Sequence, residues 1–166
     1  VDVNTFKSYN LLGISYHAIG NYDKAIECFY ETLKILPKSY TAYNLLGISY
    51  YKKNEHDKAI ECFNKAIEIN PYEGAAYINM GMIYLLRCEY ENAKQCYDKG
   101  IPLIDKCEFD YWVAQANYAV AIAKLGDPER AEKMIREAET RGYSNGNVIR
   151  KMAGIKKKTF FSRLFS

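Results

Sequence analysis

The 166-residue chain has two histidines, His17 and His56, one tryptophan and four prolines. So few imidazoles leave little room for acid–base catalysis. It has no glycine-rich phosphate loop and no C-x-x-C pair that would read as a zinc site. No apolar run approaches the roughly 18 residues that a membrane-spanning helix needs. Acidic residues are missing from the last 25 positions, Gly142 to Ser166, where six of the 23 basic residues lie. The body ahead of them carries 17 basic against 20 acidic residues. A mildly acidic body with a basic end is not a nucleic-acid-binding profile. Only the end suits anionic partners.

What is present is repetition. Tyr9 to Tyr16 reads YNLLGISY and Lys24 to Phe29 reads KAIECF; both recur unchanged 34 residues later, at Tyr43 to Tyr50 and Lys58 to Phe63. A blurred third copy keeps Tyr77, Gly81, Tyr84 and Ala93 at the same period. A fixed period of this length means stacked units, each burying its neighbour. Hydrophobic residues make up 49% and charged residues 26%, the balance of a globular chain. The chain opens on Val1 in place of Met, as a fragment or processed form would, with room for further units upstream.

The five cysteines follow the same period. Cys28, Cys62 and Cys96 stand 34 residues apart, each just before an aromatic. Neighbouring helices pack about 8–10 Å apart, whereas a disulfide needs Cα atoms within about 7 Å. These three are therefore expected in the core as free thiols. That points to a reducing compartment, most simply the cytoplasm. Cys88 and Cys107 fall near unit boundaries.

Within each unit the apolar residues have helical spacing. Tyr9, Leu12, Gly13 and Tyr16 form one stripe, and Ala25, Cys28, Phe29, Thr32 and Leu33 another. Gly20-Asn21-Tyr22-Asp23 separates them, with Asn21 and Asp23 as candidate caps, and Pro37 ends the unit. In the second unit the break is Lys53-Asn54-Glu55-His56-Asp57 and the stop is Pro71. Each unit is a helical hairpin.

Tyr9-x-x-Leu12-Gly13-x-x-Tyr16, then Ala25-x-x-x-Phe29 and Pro37, resembles the tetratricopeptide repeat, and Tyr43, Leu46, Gly47, Tyr50, Ala59, Phe63, Ala66 and Pro71 match it again. Gly13 and Ala25 let the two helices approach closely, while aromatics fill the spaces. The third unit departs from the pattern at Gly100 and Asp105, and Pro102 is placed to end its second helix early. A fourth unit fits after four extra residues. Its first helix is expected over roughly Phe109 to Leu125, with Tyr118, Ala119 and Ile122 packing. Asp127 and Pro128 then start its second helix. A last helix, Asn147 to Lys158, would cover the open end.

The resemblance implies an all-α fold: a right-handed superhelix, or α-solenoid, of antiparallel helix-turn-helix repeats with a C-terminal capping helix. The expected units are residues 6–39, 40–73, 74–107 and 112–145, followed by a cap and tail at 146–166. It also implies a concave groove lined by first-helix residues. These are Lys7, Asn10, Ile14, His17 and Ala18, then Thr41, Asn44, Ile48, Tyr51 and Lys52. The third unit gives Ala75, Ile78, Met82, Leu85 and Leu86, and the fourth Val113, Ala116, Val120, Ala123 and Lys124. Ile14, Ile48, Met82 and Val120 would form one continuous stripe.

Two readings fit that stripe. It is core, or filled by the chain's own last helix; or it takes a hydrophobic peptide or amphipathic helix of a partner, with Asn10 and Asn44 bonding its backbone. Family members that clamp the acidic C-terminal tails of heat-shock chaperones resemble this chain less. Where they carry lysine, asparagine and arginine, it has Asn10, Ile14, Leu45, Ala75 and Asn79. Starting one unit later gives Asn44, Ile48, Asn79, Val113 and Ala116, with a single match.

For catalysis, His56 reads as a solvated turn residue beside Asp57. His17, near the end of a first helix, has no serine or cysteine nucleophile placed to pair with it. No catalytic residue, metal ligand or cofactor site is expected, and the chain reads as a scaffold or adaptor rather than an enzyme. The alternatives are a self-associating module whose groove holds its own or a neighbour's tail, or a regulatory domain of a larger enzyme. In the tail, Lys156, Lys157, Lys158 and Arg163 accompany Phe161, Leu164 and Phe165, which share one side if the segment is helical. That pattern fits an anionic membrane surface, a neighbouring subunit of a homo-oligomer, or a continued capping helix packed on the fourth unit.

Overall fold

The computed structural model describes residues 3–105, 109–142 and 144–155. Among them are the α-helices α1 (Val3–Ala18), α2 (Tyr22–Ile35), α3 (Tyr40–Lys52), α4 (His56–Ile69), α5 (Gly74–Leu86), α6 (Tyr90–Gly100), α7 (Phe109–Lys124), α8 (Pro128–Thr140) and α9 (Gly146–Ala153). A single 3-10 turn, Ile101–Leu103, follows α6, and there is no strand among the described residues. The all-α architecture agrees with the repeat. No described helix is long and apolar enough to cross a membrane. The chain divides into two compact units, residues 1–83 and 84–166.

In the first unit α1 packs on α2, α3 on α4, and α2 on α3. Three-residue turns join the helices of each hairpin, and their geometry repeats. Gly20 at φ +78° is followed 34 residues on by Asn54 at +61° and 34 further by Cys88 at +59°. Gly126 at φ +101° holds the same place in the fourth hairpin, offset by the four extra residues. The left-handed region is open to glycine and tolerable for asparagine; for cysteine it is strained.

Caps then set the helix starts. Asn21 accepts from the backbone N–H of Lys24 at 3.3 Å, and Ser39 from that of Ala42 at 3.2 Å. Asp23 does not cap; it sits in the first turn of α2, paired with Lys53. Both Pro37 and Pro71 lie two residues beyond a helix end, where the sequence placed the stop. Close approach within a hairpin depends on glycine. A Cβ at Gly13 would lie 2.6 Å from the Phe29 ring, and one at Gly47 would lie 2.6 Å from Phe63. Both rings are buried, as are Ala25, Ala59, Cys28 and Cys62.

In the second unit α6 ends at Gly100 and tightens into the 3-10 turn carrying Pro102. Asp127 caps α8 by accepting from the N–H of Arg130 at 3.0 Å. Helix α7 is rich in alanine, and Ala114, Ala116, Ala119 and Ala121 are fully buried beside Tyr118 and Ile122. This narrow surface lets both α8 and α9 pack on it. Arg150 of α9 is 5% exposed. Its Nε donates to Glu132 Oε2 at 2.7 Å, and Nη1 and Nη2 donate to the two Glu139 carboxylate oxygens, each at 2.7 Å.

The last helix is shorter than the sequence led us to expect. It ends at Ala153, not Lys158, because Gly154 adopts a left-handed φ of +76°. The Ile155 N–H then closes on the Arg150 carbonyl at 2.9 Å, a helix-terminating bond. The expected basic-aromatic tail, including Lys156, Lys157, Lys158, Phe161, Arg163, Leu164 and Phe165, lies outside the described residues, as does Cys107.

Candidate peptide-binding site

The candidate groove residues of the first unit sit on α1, α3 and α5, the first helices of their hairpins. Lys7, Ala18, Thr41 and Lys52 are exposed, and Ile14 is 41% exposed. Asn10, His17, Asn44, Ile48, Tyr51, Ala75, Ile78 and Met82 are half-buried. Four of these candidates, Ile48, Tyr51, Lys52 and Met82, meet around a pocket of about 190 Å³. Phe63 and Asn79 complete its lining. The fourth-hairpin candidates have a different setting. Val120 is 3% exposed and Ala116 fully buried in the second unit, so neither presents a surface to a guest; Leu85 is buried too. Leu86 and Lys124 are exposed, and Val113 and Ala123 half-buried.

Tyr51 is the fixed wall of the pocket. Its hydroxyl donates to Met82 Sδ at 3.9 Å, and its ring stacks on His56 with centroids 5.8 Å apart at 21°. The Lys52 ammonium lies 5.8 Å from the same ring's centroid. The amides lie on the same helices. Asn79 Nδ2 donates to Asn44 Oδ1 at 3.4 Å, which leaves the Asn44 donor for another acceptor. Asn10 Oδ1 is buried without a hydrogen-bond partner.

Both histidines depart from the sequence reading. His56 is the first residue of α4 rather than a turn residue, since the turn ends at Glu55. Its Nε2 is buried and has no hydrogen-bond partner, so it is not solvated. His17 does have a serine beside it: Nδ1 lies 3.0 Å from Ser49 Oγ. The Ser49 hydroxyl also lies 2.9 Å from the Leu45 carbonyl; while it donates there, it accepts from His17 in the tautomer that carries the proton on Nδ1. In that tautomer the ring has no lone pair aimed at the hydroxyl and does not act as its base. Burial, and then the nearby Lys52 charge, lower the His17 pKa from its ordinary 6.5. The pair is a structural link between α1 and α3.

The three thiols that follow the repeat, Cys28, Cys62 and Cys96, are made unreactive by burial. Burial pushes Cys62 up to about 12 and Cys96 to about 11, and raises Cys28 as well. Cys28, Cys62, Cys88 and Cys96 are all free.

Sequence reasoning missed Ser49, Asn79 and Phe63 as neighbours of this surface. Ser49 had a signal, being the repeat partner of Ser15, but Ser15 is exposed and its hydroxyl bonds back within its own helix. Asn79 replaces the leucine of the other units, Leu11 and Leu45, and that departure was the available clue.

Comparison with known proteins agrees with the helical-hairpin fold. Family models described as tetratricopeptide repeat match residues 4–71 and 74–103. Among solved structures, the Sgt2 TPR domain from Aspergillus fumigatus is 22% identical, with a TM-score of 0.67 over 75% of this chain and 82% of that one. MamA is 26% identical, with a TM-score of 0.72 over 88% and 83%. The first TPR of Spaghetti (RPAP3), solved with the HSP90 peptide SRMEEVD, is 22% identical, with a TM-score of 0.68 over 75% and 96%. Comparison with curated protein sequences gave no match. On the repeated residues, the hairpins and the family matches together, the chain belongs to the tetratricopeptide repeat family.

Proposed function

We propose that the chain is a non-catalytic scaffold or adaptor, and that the first-helix face of its first unit holds a peptide or amphipathic helix of a partner protein. The observation that carries this reading is the pocket between Ile48, Tyr51, Lys52 and Met82, with the Asn44–Asn79 amides on the same helices. An apolar socket beside amide donors suits a segment that inserts a side chain and offers its backbone. The first TPR of RPAP3, of the same fold, was solved holding a peptide. We read the hairpins as residues 6–39, 40–73, 74–107 and 112–145, with the remainder as cap and tail. Free thiols at Cys28, Cys62, Cys88 and Cys96 support a reducing compartment, the cytoplasm.

The test is selection of random displayed peptides on the full chain and on the double variant Ile48→Glu with Met82→Glu. Peptides retained by the wild type and lost by a variant of unchanged helicity support the site. Equal retention by both removes it. Light scattering of the bare chain across a concentration series gives the oligomeric state, and a mass that rises with concentration transfers the surface to self-association.

A further inference from the structure

The helices that carry the site have a one-sided charge. Helices α1, α3 and α5 contain no aspartate or glutamate, and their charged residues are Lys7 and Lys52. The second helices of the same unit, α2 and α4, hold six carboxylates: Asp23, Glu27, Glu31, Asp57, Glu61 and Glu68. Glu55 lies in a turn and Glu73 just ahead of α5. Carboxylates are thus absent from the three helices where a partner would lie.

Lys52 and its neighbour Lys53 show what this does locally. Lys53 is paired twice, to Asp23 at 2.6 Å and Glu55 at 2.9 Å. Lys52 lines the pocket, is exposed, and forms no ion pair among the described residues. Its charge is felt at His17, where it adds to burial in disfavouring the imidazolium. The pocket, at about 190 Å³, falls below the roughly 300–1,000 Å³ of sites for drug-sized ligands and has room for one large side chain.

We infer that the partner segment is anionic, placing one apolar side chain in the pocket and the carboxylate of an aspartate or glutamate side chain beside it against Lys52. This rests on the peptide-binding reading above. An acidic segment meets complementary charge on these helices, whereas a basic one would bring lysine against lysine with no carboxylate to offset it.

Displayed random peptides selected on the full chain supply the probe. The expected sequences carry an apolar residue with aspartate or glutamate close by, and selection on K52E shifts them toward neutral or basic residues. Synthetic versions are then compared by fluorescence anisotropy at low and high salt, with the acid replaced by its amide and with the C-terminus amidated. Replacing the acid, or using K52E, should weaken binding by roughly 3–10-fold at low salt and less at high salt. C-terminal amidation should change nothing. Binding that depends on Ile48 and Met82 yet shows no acidic preference and ignores K52E overturns this inference and leaves the site intact. Loss of binding on amidation also overturns it, since the recognised group would then be a chain end. If no selected peptide depends on Ile48 and Met82, the site itself fails and the inference with it.

Discussion

Gly47 and Phe63 meet as notch and key: the ring lies where a side chain on Gly47 would begin, 2.6 Å from the position of its missing Cβ. Phe63 is 1% exposed and cannot swing aside. Gly47→Ala should therefore destabilise the fold, although alanine is the better helix former by about 1 kcal/mol. Overpacking of this kind costs about 1–3 kcal/mol, so the net change is a loss of up to about 2 kcal/mol. Adding Phe63→Leu should recover part of it. A double-mutant cycle by urea denaturation measures this, and strict additivity would show that the two residues do not interlock.

Cys88 sits where the other hairpins have Gly20, Asn54 and Gly126, all at positive φ. Cys88→Gly should raise stability. It relieves a strain of about 1–2 kcal/mol, offset by about 0.5–1 kcal/mol of extra chain entropy in the unfolded state. Thermal denaturation should show a small upward shift in Tm. A downward one would mean that the thiol contributes packing worth more than the strain.

The His17 imidazole is held neutral by burial and by Lys52, below its ordinary 6.5. A base with a depressed pKa resists the proton that the unfolded chain accepts. Stability should thus fall as pH drops below 6.5, and level off beneath the folded-state value. Titration of the His17 ring signals by NMR gives that value directly. In Lys52→Gln it should move partway back toward 6.5, and no movement would mean that burial acts alone.

Arg150 ties α9 to α8 through Glu132 and Glu139. Arg150→Ala removes hydrogen bonds to charged partners and should cost about 2–3 kcal/mol. Amide exchange along 146–153 should rise the most. Burial raises the Glu132 carboxyl, but hydrogen bonds from Arg150 and Arg136 bring it below its ordinary 4.5 overall. That contribution is present above pH 4.5 and is lost as pH falls through the folded-state value. Protection at α9 that is the same at neutral and strongly acid pH would count against the link.

Much of the fold was legible because local rules agreed with the repeat. Pro37, Pro71 and Asp127 marked ends and starts that the structure keeps, and Gly13 and Ala25 marked the close approach. The site was only half legible. Ile48, Tyr51, Lys52 and Met82 share a spacing that text can show. Their neighbours Phe63, on α4, and Asn79, beside Met82 on α5, lie off that spacing, and their meeting is a product of packing. Val120 misled because α7 is apolar around much of its circumference, so periodicity there does not say which side is open. The early end of α9 had a local signal in Gly154, which adopts a left-handed φ.

The recurring left-handed residue in three-residue turns also limits how this chain can change length. A residue added to or deleted from such a turn would break its left-handed geometry and reset the second helix, carrying Phe29 or Phe63 away from its glycine. Insertions should survive ahead of a hairpin's turn and fail within it, and the four surplus residues of the fourth hairpin enter before its turn, where α7 begins at Phe109.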